Sequence, residues 1–169
     1  MPNPTDRPKT GEETSRNRTS LSPLVHQFVE HLNALEALCR DLEKIADALP
    51  GSLNAEIGLK VAQNILPIIN LAHQFEEQKI YPMFTKARSN GVELSADIER
   101  LKSEHWIDED FGEEIGLALN DYIAHQSPMK AETLSWMLRG FFESMRRHIA
   151  FENAVILPMI EKKLASNNA

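Results

Sequence analysis

Four of the six histidines in this chain are followed four residues later by glutamate: His26–Glu30, His73–Glu77, His105–Glu109 and His148–Glu152. With 18 glutamates among 169 residues, chance would supply fewer than one such pair. Residues four apart share one face of a helix, so each pair can present an imidazole nitrogen and a carboxylate oxygen together. Those donors, with no thiolate beside them, suit iron, manganese or zinc.

The pattern gains weight from where the histidines fall. At about 100° per residue, a core-facing row recurs at alternating steps of three and four. The first row reads Leu24, Phe28, His31, Leu35, Leu38, Leu42, Ile45, and the second Ile65, Ile69, His73, Glu76 or Glu77, Ile80, Phe84. The third is Ile98, Leu101, His105, Asp108 or Glu109, Gly112, Ile115, Leu119. The fourth is Leu134, Phe141, Met145, His148, Glu152, Val155, Met159. Each row carries one inward histidine. His26 lies about 140° from His31 and His125 falls at a helix end, so His26–Glu30 reads as a surface pair. The three inward pairs need another explanation, because a buried carboxylate costs several kcal/mol unless it is paired or bound to a metal.

The elements that must position these rows are all helical. Ser22-Pro23 opens helix 1 with a cap and a proline at the first position, and Pro50-Gly51 stops it after Leu49. Helix 2 runs from near Asn54 to about Arg88, with Pro67 expected to kink it or split off its first turns. Helix 3 spans Ser95 to about His125. Ser127-Pro128 repeats the opening signal for helix 4, which ends near Leu164. Four long helices with short connections predict an all-α, antiparallel up-down four-helix bundle over residues 21–169. At about 1.5 Å per residue, His31 and His105 lie about 15 Å from one end of such a bundle, and His73 and His148 about 23 Å. A modest overhang of the even helices brings all four into one layer. Residues 1–20 have no hydrophobic residue after Met1 and read as a disordered tail.

Composition narrows the function classes. A net charge of −7 argues against nucleic-acid or anionic-membrane binding. No apolar run approaches the length of a membrane helix. Cys39, the single cysteine, cannot form an intrachain disulfide, and the start of the chain lacks an apolar signal core; both point to the cytoplasm. One structural zinc needs four ligands, fewer than this layer offers. Two bridging carboxylates, four histidines and an exogenous bridge fill about ten of the twelve positions of two octahedral ions, leaving room for a small ligand. A dinuclear iron site fits that inventory best. The Glu-x-x-His spacing of ferritin-like sites is absent at all six histidines.

The pieces EHLNALEAL at Glu30–Leu38, HQFEEQKIYP at His73–Pro82, EHW at Glu104–Trp106 and HIAFENAVILP at His148–Pro158 resemble the hemerythrin-like, or HHE cation-binding, family. The resemblance covers Leu24 to Leu164. It implies a hemerythrin-like bundle holding two iron ions per chain, with His31, His73, Glu77, His105, His148 and Glu152 as ligands and Glu77 and Glu152 as bridges. Two departures stand out. FEEQKIYPMF (Phe75–Phe84) aligns with FENAVILPMI (Phe151–Ile160) as an internal repeat. The repeat sets Glu76, not Glu77, opposite Glu152 and Ala72 opposite His148, so Glu76 is an alternative ligand. The oxygen carriers of the family resemble HxxxH on helix 3, where this chain has His105–Glu109, so Glu109 is a further candidate and simple oxygen carriage is disfavoured.

The expected function is therefore binding of, or reaction with, oxygen, nitric oxide or peroxide, in sensing, iron handling or repair. The alternative is a metal-free bundle acting as an interaction module. Histidine phosphotransfer would need an exposed histidine, which only His26 or His125 could supply. Trp106, Tyr81 and Tyr122 are candidates for neighbours of the metals, though aromatic residues beside such rows are usually packing.

Overall fold

Every helix described has an apolar stripe, and no strand accompanies them among the described residues, so burial has to come from helix packing on helix. A computed structural model describes residues 22–51, 53–85, 94–126 and 128–167. The expected tail, the turn after Thr85 and Ser127 lie outside the described residues. The elements are α1 (Pro23–Ala48), α2 (Ala55–Phe75), α3 (Pro82–Thr85), α4 (Ser95–Ile123), α5 (Ala131–Phe151) and α6 (Leu157–Asn167). Five-residue π-helical segments, Glu76–Ile80 and Glu152–Ile156, join α2 towards α3 and α5 to α6. Four rods result: α1; α2 through α3; α4; and α5 through α6.

Each rod packs on two others, in the ring order α1, α2, α4, α5. Cross-rod pairs show that neighbours run antiparallel. Ser135 Oγ donates to Ala46 O at 3.1 Å while Arg146 reaches Glu43 at 2.7 Å; His73 meets Glu109 while Glu77 meets His105. This is the up-down bundle that the stripes require. Its core holds Phe28, Leu35, Leu42, Ile65, Ile69, Ile98, Leu101, Ile115, Leu138 and Phe141, all fully buried. None of the helices described is long and apolar enough to cross a membrane.

The helix ends differ in detail from the sequence signals. Pro23 occupies the first turn of α1, yet the Ser22 side chain makes no cap hydrogen bond. α2 opens on Asn54, whose side chain accepts from Ile57 N at 3.1 Å. It runs unbroken through Pro67, which sits on the exposed face, where a missing N–H costs least. α5 starts at Ala131, three residues after Pro128, and α6 carries the last rod to Asn167. His125 closes α4 with φ 56°, and the bonds Gln126 N to Asp121 O and His125 N to Tyr122 O form the crossed pair of a left-handed helix stop.

The π segments were not foreseen, and they change which residues face inward. In each, an amide reaches back five residues instead of four: Tyr81 N to Glu76 O at 2.8 Å, and Leu157 N to Glu152 O. The extra residue in the turn shifts the stripe by one. Ile156 and Ile160 are fully buried where Val155 and Met159 were expected.

Gly112 of α4 lies against α2, where an added Cβ would stand 2.9 Å from Ile69 Cδ1 and 3.2 Å from Ile65 Cγ2. Gly140 of α5 is exposed with nothing within 4 Å. Gly112→Leu is expected to destabilise the bundle by about 1–3 kcal/mol through overpacking, and Gly140→Ala to stabilise it by about 0.5–1 kcal/mol. Urea unfolding followed by circular dichroism checks both; equal midpoints would refute the close α2–α4 approach.

Candidate metal centre

Both π segments begin on a glutamate, and both glutamates are fully buried. Glu76 and Glu152 face one another across the bundle with His73, His105 and His148, each less than 5% exposed. One donor atom each from Glu76, His105 and His148 lies within 4.8 Å of the others. The His73 and His105 rings stack at 3.8 Å and 6°, and the His148 ring lies 5.1 Å from His105 and 6.0 Å from His73.

The glutamates four residues after the histidines play a different part from the one expected. Glu77 does not join its own His73; it accepts from Nδ1 of His105 at 2.8 Å. Glu109 does not join His105; it accepts from Nδ1 of His73 at 3.0 Å. α2 and α4 thus exchange partners, and each carboxylate braces the imidazole of the other rod. Glu104 holds Nδ1 of His148 in the same manner at 3.3 Å. Each brace is partly exposed, Glu77 at 43% and Glu109 at 40%. A carboxylate accepting from Nδ1 fixes the tautomer and turns a bare Nε2 inward.

What those inward atoms meet is the central fact of the site. His73 Nε2, His148 Nε2, Glu76 Oε1 and Glu152 Oε2 are buried with no hydrogen-bond partner; His148 Nε2 and Glu152 Oε2 stand 3.4 Å apart without hydrogen-bond alignment. The other oxygens of the same carboxylates are engaged. Glu76 Oε2 is 3.1 Å from His105 Nε2, and Glu152 Oε1 is 3.0 Å from the Tyr81 hydroxyl. Nearly all buried polar atoms in folded proteins are satisfied, so four orphans in one chamber call for a missing partner. Imidazole nitrogens and carboxylate oxygens without thiolate are the donors of a first-row metal cation, and the residues present fit one.

Charge balance points the same way. Burial, reinforced by the neighbouring Glu152, raises the Glu76 carboxyl well above its ordinary range. Burial, with His105 and His148 beside it, lowers His73 to about 2, and burial also lowers His105 despite Glu77. For His148 burial opposes the charge, but Glu152, Glu76 and Asp108 together outweigh it and lift the group to about 9.

The remaining candidates divide between the chamber and its surroundings. His31 does not enter the histidine cluster; it is half-buried, its ring 4.8 Å from that of Phe75. The expected single layer of four histidines is thus a cluster of three. Glu77, expected as an inward bridge, is turned out as a brace, and Glu76 takes the inward place. The reason is the π turn, which begins at Glu76 just as its repeat begins at Glu152; the repeat alignment carried that signal. Asp108, not Glu109, occupies the inward position on α4, and burial raises it to about 6. Trp106 is 70% exposed and Tyr122 lies 17 residues beyond His105, whereas Tyr81 stands within the chamber. His26 pairs with Glu30 on the surface at 3.2 Å, as expected. A cleft of about 320 Å³ between α4 and α5, lined by Arg100, Glu104, Asp108, Arg147, His148 and Phe151, opens onto the outer edge of His148.

Comparison with known families agrees with this geometry. The family described as the hemerythrin HHE cation binding domain matches residues 23–160. No curated protein and no solved structure gives a significant match.

Metal binding needs His148 and Glu76 deprotonated, and both hold protons more tightly than usual. Uptake of a divalent cation at pH 7 is therefore expected to release at least one proton per chain. Affinity should rise with pH through about 9, where His148 gives up its proton, and level off above it. Calorimetry in buffers of different ionisation enthalpy measures the release; a pH-independent affinity between 6 and 9 would contradict it.

Proposed function

Because the chain belongs to the hemerythrin HHE cation-binding family, we propose that it holds two iron ions between its rods and, through them, binds or reacts with dioxygen, nitric oxide or peroxide. The observation that carries this reading is the division of the two buried carboxylates. One oxygen of each faces the His105 side, and the other is an orphan, alongside the orphaned Nε2 atoms of His73 and His148. Two groups of donors that share both carboxylates suit two ions joined by bridging glutamates.

Iron in that position supplies a change of oxidation state and a coordination place open to a small ligand. The protein supplies the rest. Glu77, Glu109 and Glu104 orient three imidazoles, Ile80 and Ile156 close the chamber one turn on, and the cleft beside His148 gives a small molecule a path towards it. A role in sensing, iron handling or repair follows from that chemistry. Cytoplasmic residence belongs to the same proposal, since the lone cysteine, Cys39, is buried and free and the fold needs no oxidising compartment.

Protein from iron-supplemented medium is expected to contain about two irons per chain, with oxo-bridged charge-transfer bands, by elemental analysis and visible spectroscopy. No iron after anaerobic reconstitution with ferrous ion would overturn the reading and leave a metal-free bundle. The two adjacent glutamates separate ligand from brace. Glu76→Gln should lose at least one iron per chain, whereas Glu77→Gln should keep the stoichiometry with affinity weakened about 10–100-fold. The reverse ranking, measured by iron titration, would return Glu77 to the ligand set.

A further inference from the structure

We propose that the hydroxyl of Tyr81 is a ligand of the metal centre, bound as phenolate together with His105, Glu76 and Glu152; this rests on the iron-binding reading above. Tyr81 is 1% exposed and immediately follows the first π segment. Its oxygen stands 3.0 Å from His105 Nε2, 3.0 Å from Glu152 Oε1 and 3.5 Å from Glu76 Oε2, while His105 Nε2 is 3.1 Å from Glu76 Oε2.

Hydrogen bonds cannot account for this set. His105 already donates from Nδ1 to Glu77, so Nε2 of the neutral ring has only a lone pair, and even a protonated Glu76 adds a single hydrogen to that of the phenol for four contacts. The phenol has one hydrogen and can satisfy one of its three neighbours. The contacts left over bring lone pair against lone pair at about 3 Å in a buried core. A cation resolves the conflict. Atoms bound at right angles to one ion at about 2.1 Å stand about 3 Å apart, which is the spacing found.

The rod's internal repeat shows that the tyrosine is particular to this side. Leu157 occupies its counterpart position after the second π segment and has no donor atom. Coordination would break the phenol O–H bond, release the proton to solvent and form an oxygen–iron bond, with no change in electron count. A nearby cation favours that ionisation even where burial and two carboxylates oppose it.

The test is spectroscopic. Full-length protein is loaded with ferrous ion under argon, oxidised with ferricyanide and desalted, and iron content is measured on the same sample. Ferric phenolate gives a visible charge-transfer band with resonance-enhanced ring modes that shift with ring-deuterated tyrosine. The chain has two tyrosines. The band per bound iron should persist in Tyr122→Phe and fall at least ten-fold in Tyr81→Phe, which keeps the ring. Persistence in Tyr122→Phe assigns the band to Tyr81 even if the second variant folds poorly. Iron-loaded protein without the band, or a band lost in Tyr122→Phe, overturns the assignment and leaves the iron site standing. Protein that takes up no iron overturns both.

Discussion

Three histidines and three carboxylates are enclosed in a core built largely of leucine, isoleucine and phenylalanine, and four of their polar atoms have no partner. Each buried unsatisfied atom costs about 1–3 kcal/mol, and a buried unpaired carboxylate more. A domain stable by about 5–15 kcal/mol cannot carry that load without compensation. Part of it is visible: three glutamates at the rim satisfy every inward histidine on its outer nitrogen, and Glu76 and His148 shift towards holding protons. In this family the bundle is a cation-binding domain, and a cation held by the orphaned atoms would complete a core that protein atoms alone leave unsatisfied.

The two π segments follow from the same constraint. A regular helix would have to choose between facing Glu76 inward and continuing its apolar row in phase. One added residue in the turn permits both. The carboxylate enters the chamber, the isoleucine four residues on closes it, and the row resumes one position later at Ile160. On the second rod the same insertion also delivers the ring of Tyr81 to the chamber. The lengthened turn costs helix hydrogen-bond geometry, and such turns persist mostly at functional sites. Finding one at each carboxylate, at matching places of an internal repeat, ties the irregularity to the donors.

This explains what could be read in advance. The rods, their antiparallel order and the inward placement of His73, His105, His148 and Glu152 follow from the 3.6-residue period, which sequence displays directly. The His-x-x-x-Glu pairs divide: His148 and Glu152 both face the chamber, whereas Glu77 and Glu109 each meet the histidine of the other rod. Four-residue spacing says that two side chains share a face, but it cannot say that Glu77 turns to His105 while Glu109 turns to His73. That exchange depends on how two rods lie against one another. The π turns break the period on which the reading relies, and so the row position stayed open between Glu76 and Glu77 and slipped by one at Val155 and Met159. His31 is a separate case: its row position is inward, but α1 sits so that the ring meets Phe75.

The lengthwise division of the bundle makes these demands compatible. Towards the starts of α2 and α5 the core is purely apolar, with Ile65, Leu42, Ile45, Leu119, Leu134 and Leu138 almost fully enclosed. Burying one such side chain contributes about 1.5–3 kcal/mol, so that end can hold the four rods in register whatever occupies the other. The donors lie towards the opposite end, on the last turns of α2 and α5 and the first half of α4, where the braces reach solvent. A rigid apolar end keeps donor atoms apart that would otherwise collapse onto one another or turn outward. The partly exposed glutamates keep the imidazoles aimed while leaving the surface in contact with the site. Preorganisation in one half therefore permits unsatisfied chemistry in the other.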